Sequence, residues 1–100
     1  MPWRIEFSRD ADRHLGALTA YQRRIVVTTI ERQLRFEPAR ETRQRKQMKP
    51  NTMAGWELRV GDFRVYYDVV VEPECRVRIN AVGRKRGNMV FVSGEEINLS

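Results

Sequence analysis

The 100 residues include a single cysteine, a single histidine and no apolar run that approaches the length of a membrane span. Each scarcity excludes something. The lone Cys75 cannot form an internal disulfide, and one cysteine with one histidine cannot assemble a Cys/His metal site. Cys75 follows Glu72, Pro73 and Glu74 in an acidic, turn-like stretch with no histidine nearby, so it reads as a plain thiol rather than a nucleophile. The opening residues Met1-Pro2-Trp3-Arg4-Ile5-Glu6 lack the apolar stretch of a signal peptide. The expected compartment is the reducing cytoplasm, with neither metal nor cofactor. Internal repeats and low-complexity segments are also missing, and the length suits one domain spanning residues 1–100.

What the chain has is positive charge, and that charge is concentrated. Hydrophobic residues make up 41% of the sequence, enough for a core, and the net charge is +6. Residues 40–49 carry five bases against one acid, and Arg84-Lys85-Arg86 adds three more, which leaves the rest of the chain near neutral. One such stretch alone is an ordinary solvated loop. Two of them on an otherwise balanced chain suit a polyanionic partner, either nucleic acid or an acidic protein.

Periodicity supplies the elements. Trp3 to Phe7 alternates apolar and charged residues as a half-buried strand does. Ser8 is placed to cap a helix with Asp10 in its first turn, on which Ala11, Leu15 and Leu18 form the apolar stripe. Thr19 and Gln22 form a capping box for a second helix, with Val26, Ile30 and Leu34 on its buried face and a Glu31–Arg35 pair. Glu37-Pro38 ends it. The basic stretch to Pro50 reads as a loop against the sheet edge. Gly55–Val60, Phe63–Val71 and Arg76–Val82 then alternate as three strands, joined at Gly61-Asp62 and at Glu72-Pro73-Glu74. The predicted fold is α+β, an antiparallel sheet in the order β-α-α-β-β-β with a helical hairpin on one face.

A two-residue turn at Gly61-Asp62 sets Val60 opposite Phe63, Leu58 opposite Val65 and Trp56 opposite Tyr67 on the core face. The other face then holds Glu57, Arg59, Arg64, Tyr66 and Asp68, with Arg59 facing Arg64. Like charges placed opposite are destabilising. Either Glu57 and Asp68 neutralise the pair, or an anion occupies the site. The next strand adds Arg76, Arg78 and Asn80 outward and leads into Arg84-Lys85-Arg86, a cationic face continued by a basic loop and suited to a phosphate backbone.

The run Trp-Glu-Leu-Arg-Val-Gly-Asp-Phe-Arg-Val-Tyr-Tyr-Asp-Val at 56–69, followed by Ala-Val-Gly-Arg-Lys-Arg at 81–86, resembles the heart of the RelE/ParE toxin superfamily. The first strand, the helical hairpin and the connection through Pro38 and Arg40-Glu41-Thr42-Arg43 fit the same layout, so the resemblance spans residues 3 to 92. It implies an intracellular growth inhibitor, the toxin of a type II toxin–antitoxin system, wrapped by an acidic antitoxin. The RelE branch cleaves messenger RNA on the ribosome without metal; the ParE branch inhibits DNA gyrase. A weakened member acting mainly through its antitoxin is a third possibility.

For RNA cleavage, the resemblance assigns Arg64 as a phosphate clamp and Lys85, or a neighbour among Arg84 and Arg86, as the second basic group. Lysine is the better proton donor of these residue types. The RelE lysines of the second strand are replaced by Gly55 and Glu57, and a C-terminal tyrosine by Phe91, which keeps a ring for base stacking. Glu57 is a candidate base; its alternative is an ion pair with Arg59 or Arg64. Arg59, Arg84 and Arg86, together with Arg43, Arg45, Lys46 and Lys49 of the basic stretch, are candidate RNA contacts. His14, beside the first helix's apolar stripe, reads as structural or surface.

Overall fold

The alternating N-terminal segment forms β1 (Arg4–Phe7), and the two capped segments form α1 (Arg9–Gly16) and α2 (Ala20–Leu34) in the computed structural model, which describes residues 2–97. Ser8 caps α1, its Oγ accepting from the Ala11 N–H at 3.0 Å. The Thr19–Gln22 capping box opens α2 with both of its hydrogen bonds made. Six more strands follow: β2 (Arg45–Gln47), β3 (Trp56–Val60), β4 (Phe63–Val70), β5 (Arg76–Arg86), β6 (Met89–Val92) and β7 (Glu95–Ile97). They pair antiparallel in chain order from β2 to β7.

The β-α-α-β-β-β order and the helical hairpin stand, with three additions. Part of the basic stretch expected as loop is an edge strand, β2, paired with β3. Arg84-Lys85-Arg86 is the end of β5 rather than a loop, and β6 and β7 continue the sheet beyond it. The first strand, β1, runs parallel to β5, alongside Arg76–Ile79, which makes the sheet mixed at that point.

Alternation fixes the core. Trp56, Leu58, Val60, Phe63, Val65, Tyr67, Val77, Ile79 and Val82 are buried against Ala11 and Leu15 of α1 and Val26, Ile30 and Leu34 of α2. Tyr67 is wholly buried, and its hydroxyl donates to the Pro38 carbonyl at 2.9 Å. On the uncovered face a smaller cluster forms around Ala54, Tyr66 and Ala81, with Met48, Met53, Val90, Val92 and Ile97 against it. That face is therefore closed over in part by the 48–54 loop and by β6–β7.

One irregularity governs where the later side chains point. Between β4 and β5 the register steps from Tyr66↔Ala81 to Tyr67↔Ile79, leaving Asn80 as the extra residue of a β-bulge. The bulge is fastened from both sides. The Ser8 hydroxyl donates to the Asn80 carbonyl at 2.9 Å, and the Val82 N–H donates to His14 Nδ1 at 3.1 Å. The Asn80 amide donates to the Met53 carbonyl at 2.9 Å and to Asp68 Oδ2 at 2.8 Å. His14 is thus a buried structural acceptor. Burial lowers its pKa below 6.5, and the adjacent Arg13 acts in the same direction while Asp10 opposes.

Candidate functional site

Pairing β3 with β4 in the expected register places Arg59 opposite Arg64 and Glu57 opposite Tyr66, while β2 brings Lys46 opposite Glu57 on the other side. Glu57 is half-buried and takes part in no ion pair with Arg59 or Arg64; among the described residues neither arginine has a carboxylate partner. Asp68 does not neutralise them either. Its carboxylate accepts from the Gly55 N–H at 2.7 Å and from Asn80, which commits it to shaping the bulge and the start of β3.

Arg64 faces the uncovered side but is not exposed. Only 8% of it is accessible, and its Nη1 donates to the carbonyls of Gly61 at 2.7 Å and Phe63 at 2.8 Å. It braces the β3–β4 turn with one edge of the guanidinium. Beside it, Tyr66 is completely buried, and its hydroxyl has no hydrogen-bond partner among the described residues. Burial pushes the Tyr66 pKa up, the neighbouring Glu57 carboxylate pushes it further, and the Arg64 charge opposes both. Glu57 acts on the phenol through its charge and at the range of a weak side-chain hydrogen bond, one that falls short of the full geometry that would satisfy the hydroxyl. A carboxylate, a phenol and a guanidinium therefore converge at the centre of this face. Alternation places Tyr66 outward without marking it as a site residue; the signal in the sequence is a tyrosine between Arg64 and Asp68 on the face expected to be wet.

Of the three, Glu57 also lines a groove of about 680 Å³, together with Lys46 and Lys49 and, from the later strands and their turn, Asn88, Met89 and Glu96. Lys46 and Lys49 are exposed, as are Arg43 and Arg59. Lys85 is exposed and stands opposite Val90, which shares the uncovered face, so Lys85 belongs to that face.

The remaining expected contacts fall elsewhere. Arg45 is 8% accessible and serves the end of α2: its Nη1 donates to the Gln33 carbonyl of the last turn at 3.0 Å and to the Glu37 carbonyl just beyond the helix at 2.7 Å. It is held away from any RNA lying on the sheet. Arg84, Arg86 and Phe91 are carried to the helix side by the bulge. Arg84 pairs with Phe63 and Phe91 in register, and its Cζ sits 4.9 Å from the centre of the Phe63 ring. The single basic cluster read from residues 84–86 is split, with Lys85 on one face and its neighbours on the other. Cys75 is free and exposed. Among the described residues, no group of three or more His, Cys, Asp or Glu side chains is arranged to hold a metal ion, and no helix is long and apolar enough to cross a membrane.

No family model and no curated protein sequence matches the chain. In three dimensions it is similar to a chain of the toxin–antitoxin complex RelBE2 from Mycobacterium tuberculosis, with a TM-score of 0.71 and 24% identity over 85% of this chain and 93% of that one. At that identity the likeness is one of fold, and the fold is RelE-like.

Proposed function

We propose that this chain is the toxin of a type II toxin–antitoxin pair and a metal-independent endoribonuclease that cuts messenger RNA on the ribosome. The supporting observation is the Glu57 carboxylate, outside any ion pair, lining a groove with Lys46 and Lys49 and neighboured by Tyr66 and Arg64, on a fold found in a toxin–antitoxin complex. Glu57 takes the proton of a ribose 2′-OH. The freed oxygen attacks the adjacent phosphorus, giving a 2′,3′-cyclic phosphate. The departing 5′-oxygen collects a proton from the Lys85 ammonium. Lys46 and Lys49 hold flanking phosphates, Arg59 extends that contact, and the Arg64 charge stabilises the transition state from beneath. The partner is an acidic antitoxin whose segment folds over Lys46, Arg59 and Lys85 and masks them.

A second reading is favoured by one specific observation. Arg45 and Arg64 are tied to backbone carbonyls, and Phe91 lies on the opposite face, which reduces the residues free for catalysis and suits a binding inhibitor of DNA gyrase. The decisive experiment combines ribosome-bound cleavage mapping with a gyrase supercoiling assay on the same purified chain. Cleavage leaving cyclic phosphate ends, reduced on the order of 10²-fold or more in Glu57→Gln, supports the nuclease. Unchanged RNA with blocked supercoiling replaces it with the gyrase reading.

A further inference from the structure

Past the bulge, β5 turns Arg84 and Arg86 into a cavity of about 390 Å³ between α1 and the β5–β6 ladder. Its walls include His14 and Leu18 from the helix side, Phe63 from β4 and Phe91 from β6. No carboxylate lines it, and neither arginine belongs to an ion pair among the described residues. Arg84 lies over the Phe63 ring, which leaves the edges of its guanidinium free to donate. Because His14 Nδ1 accepts from Val82, the neutral ring carries its proton on Nε2, a donor with no acceptor among the described residues. Two unneutralised cations and one N–H thus meet apolar and aromatic walls in a space of ligand size, since small-molecule pockets run from roughly 300 to 1,000 Å³.

We infer that this cavity binds a small anion carried on a flat aromatic body, of the nucleoside monophosphate or aromatic carboxylate class. Arg84, Arg86 and the His14 N–H take the anionic group, while Phe91 and Leu18 cover the plane of the ring. The cavity lies on the helix side of the sheet, away from the Glu57 groove, so the inference does not rest on the proposed nuclease activity.

The test is a titration of the isotopically labelled full chain, followed by amide NMR, with adenosine 5′-monophosphate and separately with 2-naphthoate. Saturable shifts at the Val82, Gly83 and Phe91 amides are expected from at least one probe, with a dissociation constant of about 1 mM or tighter. Arg86 is exposed, so Arg86→Ala should fold normally. It should weaken that binding by about tenfold or more, because a charge-assisted contact is lost. Phe91→Leu should weaken it as well. Saturation by the nucleotide alone assigns a phosphate ligand, and saturation by the naphthoate alone assigns a carboxylate. The inference is overturned if neither probe saturates, if the shifts centre on Lys46 and Lys49, or if Arg86→Ala binds as the parent does.

Discussion

On the helix side of β3 and β4, Trp56, Leu58, Val60, Phe63, Val65 and Tyr67 are buried in one continuous apolar layer; on the other side the same two strands carry Glu57, Arg59, Arg64, Tyr66 and Asp68. The first face is covered by whole helices, and its wholly buried Tyr67 hydroxyl has a partner in the Pro38 carbonyl. The second is covered only by a loop and two short strands, and it buries the Tyr66 hydroxyl with no partner. A buried unpaired hydroxyl costs about 1–3 kcal/mol, so that face is not built for stability alone. The helix face holds the fold, and the other collects the groups that can react.

Substitutions can break or sharpen this contrast. The largest effect is expected from Leu58→Ala on the helix face. Leu58 is wholly buried, and the cavity left behind should cost about 3 kcal/mol in urea unfolding. A loss below about 1 kcal/mol would show that the helices do not hold this layer tightly. Next comes Arg45→Ala, which strands the Gln33 carbonyl in the last turn of α2 and removes one of two donors from the Glu37 carbonyl, and should lower stability by about 1–2 kcal/mol. Should Arg45→Ala unfold like the parent yet bind RNA less well, Arg45 would return to the list of RNA contacts.

Tyr66→Phe should go the other way. Removing a hydroxyl that has no partner ought to leave stability unchanged or raise it by up to about 1 kcal/mol, while the proposed nuclease activity should fall if the phenol tunes Glu57. A marked loss of stability would mean that the hydroxyl is satisfied after all. The gentlest effect is a pH slope. The folded-state pKa of His14 lies below its unfolded value of 6.5, so the unfolded chain takes up the proton first as pH falls. Its contribution is complete above pH 6.5 and is lost progressively as pH drops towards the lower native pKa. His14→Asn, which keeps an acceptor for Val82 but does not titrate, should flatten that slope in pH-dependent melting. A slope surviving in the variant would belong to other groups.

Much of the architecture was legible from local pattern. Ser8 and the Thr19–Gln22 box announce their helices because capping is settled within four residues. The turn at Gly61-Asp62 sets the β3–β4 register, and with it the Arg59–Arg64 and Glu57–Tyr66 oppositions, because alternation with period two leaves no other face for them. Charge counting found both basic stretches but not which of their members are free.

Only the tertiary structure decided that. One extra residue at Asn80 reverses the facing of everything after it, sending Arg84, Arg86 and Phe91 to the helix side and Lys85 to the face of Glu57. The contacts that hold the bulge come from Ser8 and His14, 72 and 68 residues away, so no periodicity within β5 could announce it. Arg45 is withdrawn from the surface for a similar reason: the Gln33 carbonyl of α2 and the Glu37 carbonyl beyond it lie beside it only once β2 has paired with β3. Sequence by itself determined the two helices, the strands β1, β3, β4 and the start of β5, their order and the side β3 and β4 turn to the helices, since these follow from neighbours a few residues apart. Which cations meet which carboxylate depended on hydrogen bonds between residues that are distant in the chain.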